Sequence, residues 1–228
     1  YAQFSLGMMH NNGEGVAQDY KEAMKWCRLA AEQGHTKAQH NIGWMYYIGE
    51  GVAQDYKEAM KWFRLAVEQG AEEAVRSQNN LGWMYLNGQY VTQDYNEAMN
   101  LYQLAAEQGL ARAQYNIGVM YYEGKGVTED NKKAVKWYLL AAEQGHVLAQ
   151  RNLGVMYQAG YGVTKDYQEA LKWFRLAAEQ GLAESQFNLG QMYVKGQGVT
   201  QDYKEATKWW RLAAEQGEVE AQNKRGPK

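Results

Sequence analysis

A repeat of about 36 residues is the feature of this sequence that most restricts how the chain can fold. Residues 15–26 read GVAQDYKEAMKW, and residues 51–62 repeat these letters without change. Repeats of about 20 to 50 residues are typical of stacked supersecondary units, each of which buries its apolar face against the next. We therefore predict an all-α fold, an α/α solenoid of about six helix-turn-helix repeats. The tripeptide EQG ends the six copies, with its glycines at Gly34, Gly70, Gly109, Gly145, Gly181 and Gly217.

The second helix of each repeat, called helix B, is predicted to begin at an Asp-x-x-Glu motif. This spacing is typical of a capping box, in which the two side chains satisfy free backbone N–H groups at the start of a helix. In the second copy, Ala59, Trp62, Phe63 and Ala66 then recur at helical spacing, and the glycine of EQG favours a left-handed helix end. The motif occurs as Asp19 with Glu22, Asp55 with Glu58, Asp94 with Glu97, Asp166 with Glu169, and Asp202 with Glu205.

The first helix, called helix A, carries a small-residue stripe that predicts close packing between helices. In the second copy the stripe contains Ala38 and Gly43, and the helix stops near Gly49. The glycine-rich loop that follows has the look of a phosphate-binding loop. However, no strand precedes it and no Lys-Ser/Thr pair follows it, and it recurs in most copies, so we interpret it as a turn.

The pattern A-Q-x-N-L-G-x-M-Y-x-x-G-x-G-V-x-x-D-Y-x-x-A-x-x-W-x-x-A-A-E-Q-G closely resembles the Sel-1-like repeat, a relative of the tetratricopeptide repeat. The resemblance covers essentially the whole chain and implies a single repeat domain over residues 1–228, with a polar C-terminal stub at 218–228. It also implies a right-handed superhelix that serves as an adaptor or scaffold for protein complexes, often in bacteria and often exported. Some members carry a disulfide-linked cysteine pair in each repeat, whereas this chain has only Cys27.

Composition and motif content argue against an enzyme and against a nucleic-acid-binding protein. The net charge is −2 and the sequence pI is near 6.2, which is not the basic footprint of a nucleic-acid binder. The four histidines have no acid or thiol at metal-ligand or triad spacing, so we predict no catalytic residues, no metal and no cofactor. No apolar run approaches the roughly 18 residues of a membrane span.

The sequence is compatible with more than one cellular compartment. A cysteine-poor chain suits both the cytoplasm and the bacterial periplasm or exterior, and Cys27 is predicted to be a buried structural thiol. No signal peptide is apparent, and because the chain starts in the middle of a repeat we expect further residues before Tyr1.

The candidate binding site follows from positions that vary between copies of helix A. Residues at offsets −6, −3, +1 and +4 from the helix A glycine share one face, opposite the packing stripe. In tetratricopeptide-like stacking, which the resemblance implies, this face lines a concave groove that takes extended peptides. The predicted partner-binding residues are Lys37, His40, Trp44, Tyr47, Arg76, Asn79, Trp83, Arg112, Tyr115, Tyr122 and Arg151.

The chemistry of these positions predicts a protein or peptide partner of acidic or carboxylate-terminal character. Basic residues occupy the face in repeats two to five, no acidic residue stands at the same offsets there, and large aromatics lie between them. Arginine and aromatic residues are enriched at binding hot spots. Three alternatives remain: Trp44 and Trp83 pack between neighbouring A helices, the array reads single-stranded RNA, or it is a structural spacer.

Two further predictions concern structure. The recurring asparagines and glutamines of helix A, such as Asn41 and Gln39, are interpreted as structural because they are identical in every copy. In the third repeat, three added residues between Gly70 and Gln78 predict a longer helix A, and Tyr90 replaces the second loop glycine.

Overall fold

The chain is a helical repeat protein with two helices in each repeat. The computed structural model describes residues 1–70 and 74–217, and this part of the chain contains twelve α-helices and no strand. The predicted C-terminal stub at 218–228 lies outside these residues. The A helices are α1 (Ala2–Asn12), α3 (Thr36–Ile48), α5 (Val75–Asn87), α7 (Ala111–Glu123), α9 (Val147–Ala159) and α11 (Ala183–Lys195). The B helices are α2 (Tyr20–Ala31), α4 (Tyr56–Glu68), α6 (Tyr95–Glu107), α8 (Asn131–Glu143), α10 (Tyr167–Glu179) and α12 (Tyr203–Glu215).

The chain divides into two compact units, Tyr1–Ala113 and Gln114–Lys228, which are called the first and the second unit. In the first unit, each of the helices α1 to α6 packs against the next one along the chain. In the second unit, α8 to α12 do the same. This neighbour-to-neighbour packing is what a repeat array requires, because each repeat buries its apolar face against adjacent helices.

The aspartate half of the predicted capping box is confirmed, and the glutamate half is not. Asp55 accepts hydrogen bonds from the backbone N–H groups of Lys57 and Glu58 at 2.9 and 3.1 Å. The N–H of Asp55, which a reciprocal box would offer to Glu58, donates instead to the carbonyl of Tyr46 at 2.9 Å. Glu58 forms an ion pair with Lys61. The aspartate therefore both starts helix B and fixes the loop to helix A.

Glycine in the A helices allows large rings of the B helices to pack against the helix backbone, as the small-residue stripe predicts. A Cβ atom added at Gly154 would lie 2.6 Å from ring carbons of Phe174, which is fully buried. The same position on α2 is Cys27, whose Sγ lies 2.6 Å from a Cβ added at Gly7. Cys27 is buried, and burial raises the pKa of its thiol to about 11, so the prediction of a structural thiol is confirmed.

The glutamines of helix A join neighbouring helices through buried hydrogen bonds. Gln150 donates from Nε2 to the carbonyl of Ala142 on α8 at 3.1 Å. Its Oε1 accepts from the Nε2 of Gln180, the glutamine of EQG, at 2.7 Å. The structural interpretation of this series is therefore confirmed. Equivalent pairs between glutamines join Gln108 to Gln78, Gln144 to Gln114, and Gln216 to Gln186.

The third repeat differs from the others in the loop that follows its A helix. Helix α5 begins at Val75 and has 13 residues, as α3 has. The prediction of a longer helix A falls on the added residues 71–73, which lie outside the described part of the chain. In the loop after α5, Tyr90 has a φ of 66° and is the one non-glycine residue with positive φ among the described residues. Its side chain is 56% exposed.

Replacement of Tyr90 by glycine is expected to stabilise the protein by about 0.5–1 kcal/mol. The left-handed conformation costs an L-residue about 1–2 kcal/mol, and glycine avoids this strain. Glycine also increases the conformational entropy of the unfolded chain, which offsets part of the stabilisation. Tyr90→Ala is the control, since alanine keeps the Cβ atom that causes the strain. Urea denaturation of the three proteins tests this, and equal stabilities for Tyr90→Gly and wild type would contradict it.

None of the helices in the described residues combines the length and the apolar character needed to cross a membrane.

Candidate functional site

The predicted partner-binding residues lie on four A helices, and the two units hold different parts of the set. Helices α3 and α5 and the start of α7 place theirs in the first unit; the rest of α7 and α9 place theirs in the second. The first-unit members are Lys37, His40, Trp44, Tyr47, Arg76, Asn79, Trp83 and Arg112. The second-unit members are Tyr115, Tyr122 and Arg151.

The first unit brings five of these residues together around an open cleft of about 400 Å³, which is called the first-unit cleft. It is lined by His40, Asn41, Trp44, Arg76, Asn79, Asn80, Leu110 and Arg112. Lys37, Tyr47 and Trp83 are not among its lining residues. Asn41 and Asn80 belong to the recurring asparagines interpreted as structural, and their place in the lining is a role that the reasoning from the sequence did not assign.

The first-unit cleft is positively charged. Arg76 and Arg112 are exposed, and neither forms an ion pair with a residue that the structure describes. No carboxylate belongs to the described lining. His40 adds no charge at neutral pH, because burial, together with the positive charge of Arg76, lowers its pKa to about 4. Its Nδ1 lies 3.0 Å from the hydroxyl of Ser77. Two arginines therefore dominate the electrostatics of the cleft.

Trp44 lines the cleft, and both Trp44 and Trp83 are accessible to solvent. Trp44 stacks on Tyr47 with ring centroids 5.5 Å apart and an interplanar angle of 20°. The hydroxyl of Tyr47 donates to Oε1 of Gln89 at 3.0 Å, which holds the ring in place. Trp44 is 37% exposed and Trp83 is 43% exposed. More than half of each residue is nevertheless covered, so this exposure does not contradict the alternative in which the two tryptophans pack between neighbouring A helices.

The second unit has a smaller cleft of about 190 Å³, which is called the second-unit cleft. It contains all three predicted residues of this unit, and Tyr115 stacks on His146 with centroids 4.6 Å apart. The cleft also contains a carboxylate, that of Glu123, whereas the described lining of the first-unit cleft contains none. Its lining consists of Tyr115, Val119, Tyr122, Glu123, Tyr138, Arg151, Asn152, Val155 and Met156.

The charge of Arg151 is already paired. Its Nη2 forms an ion pair with Glu184 of α11, and its Nη1 donates to the side-chain oxygen of Asn152 at 2.8 Å. Glu184 stands at offset −6 in the sixth repeat, where the third and fourth repeats have Arg76 and Arg112. The sequence analysis considered acidic residues at these offsets only in repeats two to five, so it did not identify Glu184 of the sixth repeat as a partner of Arg151. The two clefts consequently present different charge to a ligand.

Two histidines that had no assigned role start helices. Nδ1 of His35 accepts a hydrogen bond from the N–H of Ala38, and Nδ1 of His146 accepts one from Ala149, both at 3.3 Å. Across residues 1–70 and 74–217, no three His, Cys, Asp or Glu side chains are grouped so that they could hold a metal ion.

A family model described as Sel1 repeat matches the chain six times. The matches cover residues 1–35, 36–70, 75–110, 111–146, 147–182 and 183–218, so each begins close to the start of an A helix. A comparison with curated proteins found no match.

Two solved structures are similar to this chain over almost its whole length. A protective antigen present in uropathogenic Escherichia coli strains, which displays an SLR fold, is 40% identical with a TM-score of 0.86 over 98% of this chain. The present chain spans 47% of the length of that antigen. A Sel1 repeat protein from Oxalobacter formigenes is 39% identical with a TM-score of 0.87, and the match covers 94% of this chain and 86% of that one.

A more distant structure shares the fold alone. An immunity protein from Pseudomonas aeruginosa is 20% identical with a TM-score of 0.59, and the match covers 94% of this chain and 80% of that one.

Proposed function

The chain belongs to the Sel1 repeat family, whose members generally mediate protein–protein interaction, and on that premise we propose that it is a non-enzymatic adaptor that binds an extended, acidic segment of a partner protein. Each unit carries its own binding surface, formed by the A-helix residues named above for that unit. The first-unit cleft is the anchoring site for a carboxylate.

The observation that supports this function best is the pair of arginines in the first-unit cleft. Arg76 and Arg112 lie in one cleft without a described carboxylate, so their positive charge is available to a ligand. A guanidinium group offers several N–H donors in a planar fork and binds carboxylates through charge-assisted hydrogen bonds. A partner with Asp or Glu side chains, or a free C-terminus, supplies the matching acceptors.

The exposed aromatic rings supply the apolar part of the interaction. Trp44 and Trp83 keep more than a third of their surface accessible, and tryptophan is among the residues that contribute most at interfaces when a partner covers it. The amide group of Asn80 in the cleft can bond to the backbone of an extended peptide, which has regularly spaced N–H and C=O groups. Nδ2 of Asn41 already donates to Sδ of Met8 at 2.9 Å. Charge therefore selects the partner, and aromatic contact area strengthens its binding.

The test begins with capture of partners from a lysate of the source cell by the wild-type chain, followed by identification of the captured proteins by mass spectrometry. Acidic segments of each captured protein are then made as fluorescent peptides, and their affinities are measured by anisotropy. We expect the double variant Arg76→Glu/Arg112→Glu to bind at least one of these peptides about tenfold or more weakly, because each substitution replaces an attractive charge by a repulsive one.

Lys132→Glu/Lys136→Glu is the matched control, since it changes the net charge by the same amount at exposed positions of α8. It should leave the affinity within about twofold of wild type. Equal losses in both double variants would show that overall charge is responsible and would overturn the assignment of the cleft. A salt titration identifies the RNA alternative, because RNA binding should weaken steeply with salt and an aromatic-anchored peptide only mildly.

A further inference from the structure

We propose that Glu184 determines the specificity of the second unit by acting as an internal carboxylate ligand of Arg151, so that acidic partners are recognised at the first-unit cleft and not at the second. This inference rests on the proposed function, because it specifies which part of the surface binds the acidic group. It adds a residue that lies outside the predicted binding set.

The guanidinium group of Arg151 already has partners within the second unit. Its guanidinium group contacts Oε1 of Glu184 through Nη2 and the amide oxygen of Asn152 through Nη1. The remaining donor, Nε, is buried and has no hydrogen-bond partner among the described residues. Glu184 is therefore the one described carboxylate paired with Arg151, and it occupies the place that a ligand carboxylate would take.

The first unit has different residues at the offsets that Arg151 and Glu184 occupy in the second unit. Arg151 stands at offset −3 of the fifth repeat, and Glu184 stands at offset −6 of the sixth. In the first unit, the same combination of offsets places His40 beside Arg76 and Asn79 in one cleft with Arg112. Among the described lining residues those arginines meet neutral side chains, so their charge is left for a ligand. Two glutamates, Glu184 and Glu123, distinguish the charge of the second-unit surface from that of the first.

The ion pair between Arg151 and Glu184 is partly exposed to solvent, so breaking it should cost the fold little stability. The side chains of Arg151 and Glu184 are 32% and 49% exposed, and exposed ion pairs contribute little to stability. A substitution that removes the charge of Glu184 should therefore leave the fold intact while exposing the charge of Arg151. An acidic ligand on the wild type must compete with a carboxylate that is tethered next to its site.

The experiment uses the full chain labelled with ¹⁵N, in which the Nε–Hε signals of Arg76, Arg112 and Arg151 are assigned by replacing each residue with lysine. The probe is an acetylated and amidated hexaglutamate peptide. In wild type we expect the signals of Arg76 and Arg112 to shift and that of Arg151 to stay in place. In Glu184→Gln the Arg151 signal should shift as well, because its guanidinium group has lost its internal carboxylate partner.

Glu123→Gln is the matched control, because it removes the same charge from a carboxylate that lines the same cleft. It should leave the response of Arg151 as in wild type. The proposal is overturned if Arg151 responds equally in wild type and Glu184→Gln, if it stays silent in Glu184→Gln, or if Glu123→Gln has the same effect. Silence of Arg76 and Arg112 in every protein would instead contradict the proposed function, and the Arg151 result would still be read separately.

Discussion

Substitution of Gly162 by alanine is expected to lower the free energy of unfolding by about 3 kcal/mol, whereas Gly181→Ala should lower it by about 1 kcal/mol. Both glycines have positive φ angles, of 68° and 91°, so an alanine at either position is strained to a similar degree. They differ in what surrounds them. A Cβ atom at Gly162 would lie 2.3 Å from the carbonyl oxygen of Asn131, while nothing lies within 4 Å of a Cβ at Gly181.

The larger effect follows from the kind of atom that a Cβ added at Gly162 would meet. Asn131 contributes backbone atoms at the start of α8, and a helix backbone cannot move aside as the end of a flexible side chain can. The clash therefore adds to the conformational strain, which Gly181→Ala measures alone. Urea denaturation followed by circular dichroism gives both values, and equal losses would show that the close approach of loop and helix has no energetic consequence.

The second large effect is a pH dependence of stability that originates at His40. Burial beside Arg76 lowers the pKa of His40 in the folded protein to about 4, compared with 6.5 as its ordinary value. Between these two pH values the unfolded chain binds more protons than the folded one, so stability falls as the pH decreases from 6.5 to 4 and is fully present above 6.5. We expect this loss to be about 3 kcal/mol, since one pKa unit corresponds to about 1.4 kcal/mol.

His40→Gln isolates this contribution, because glutamine can still bond to the hydroxyl of Ser77 but does not titrate. The free energy of unfolding of wild type and variant is measured at several pH values, and the difference between them removes the contribution of the carboxylates. We expect the wild-type value to decrease relative to the variant as the pH falls. A constant difference across this range would show that His40 is protonated equally in both states.

The fold could be predicted closely because its determinants are local. Asp55 starts helix B and Gly70 follows its end with a positive φ, and both signals lie within a few residues of the structure that they determine. The prediction that Glu58 would accept a hydrogen bond from the N–H of Asp55 was wrong for a physical reason. The loop brings the carbonyl of Tyr46 within 2.9 Å of the Asp55 nitrogen, so the N–H of Asp55 donates to this carbonyl and not to Glu58.

The candidate site could be predicted only in part, because spacing within one helix determines which side chains share a face but not which ones meet across helices. The offsets place His40, Trp44 and Arg112 on A-helix faces, and the structure has these three residues around one cleft. The pairing of Arg151 with Glu184 depends on the lateral position of α11 against α9, and no period in the sequence contains that information. That the groove residues bind a partner stays a prediction.

The glutamine pairs have a consequence for how such a chain can evolve. Gln78 with Gln108 and Gln150 with Gln180 use the same two side chains at the same separation of 30 residues, so each of these repeats carries both halves of the pair. The helix A glutamine also donates to a backbone carbonyl of the preceding B helix, as Gln150 does to Ala142 and Gln186 does to Ala178. A backbone carbonyl does not depend on the side chain of its residue, so a duplicated or deleted repeat would still offer this acceptor. Genetic recombination between copies can therefore lengthen or shorten the array without new compensating mutations.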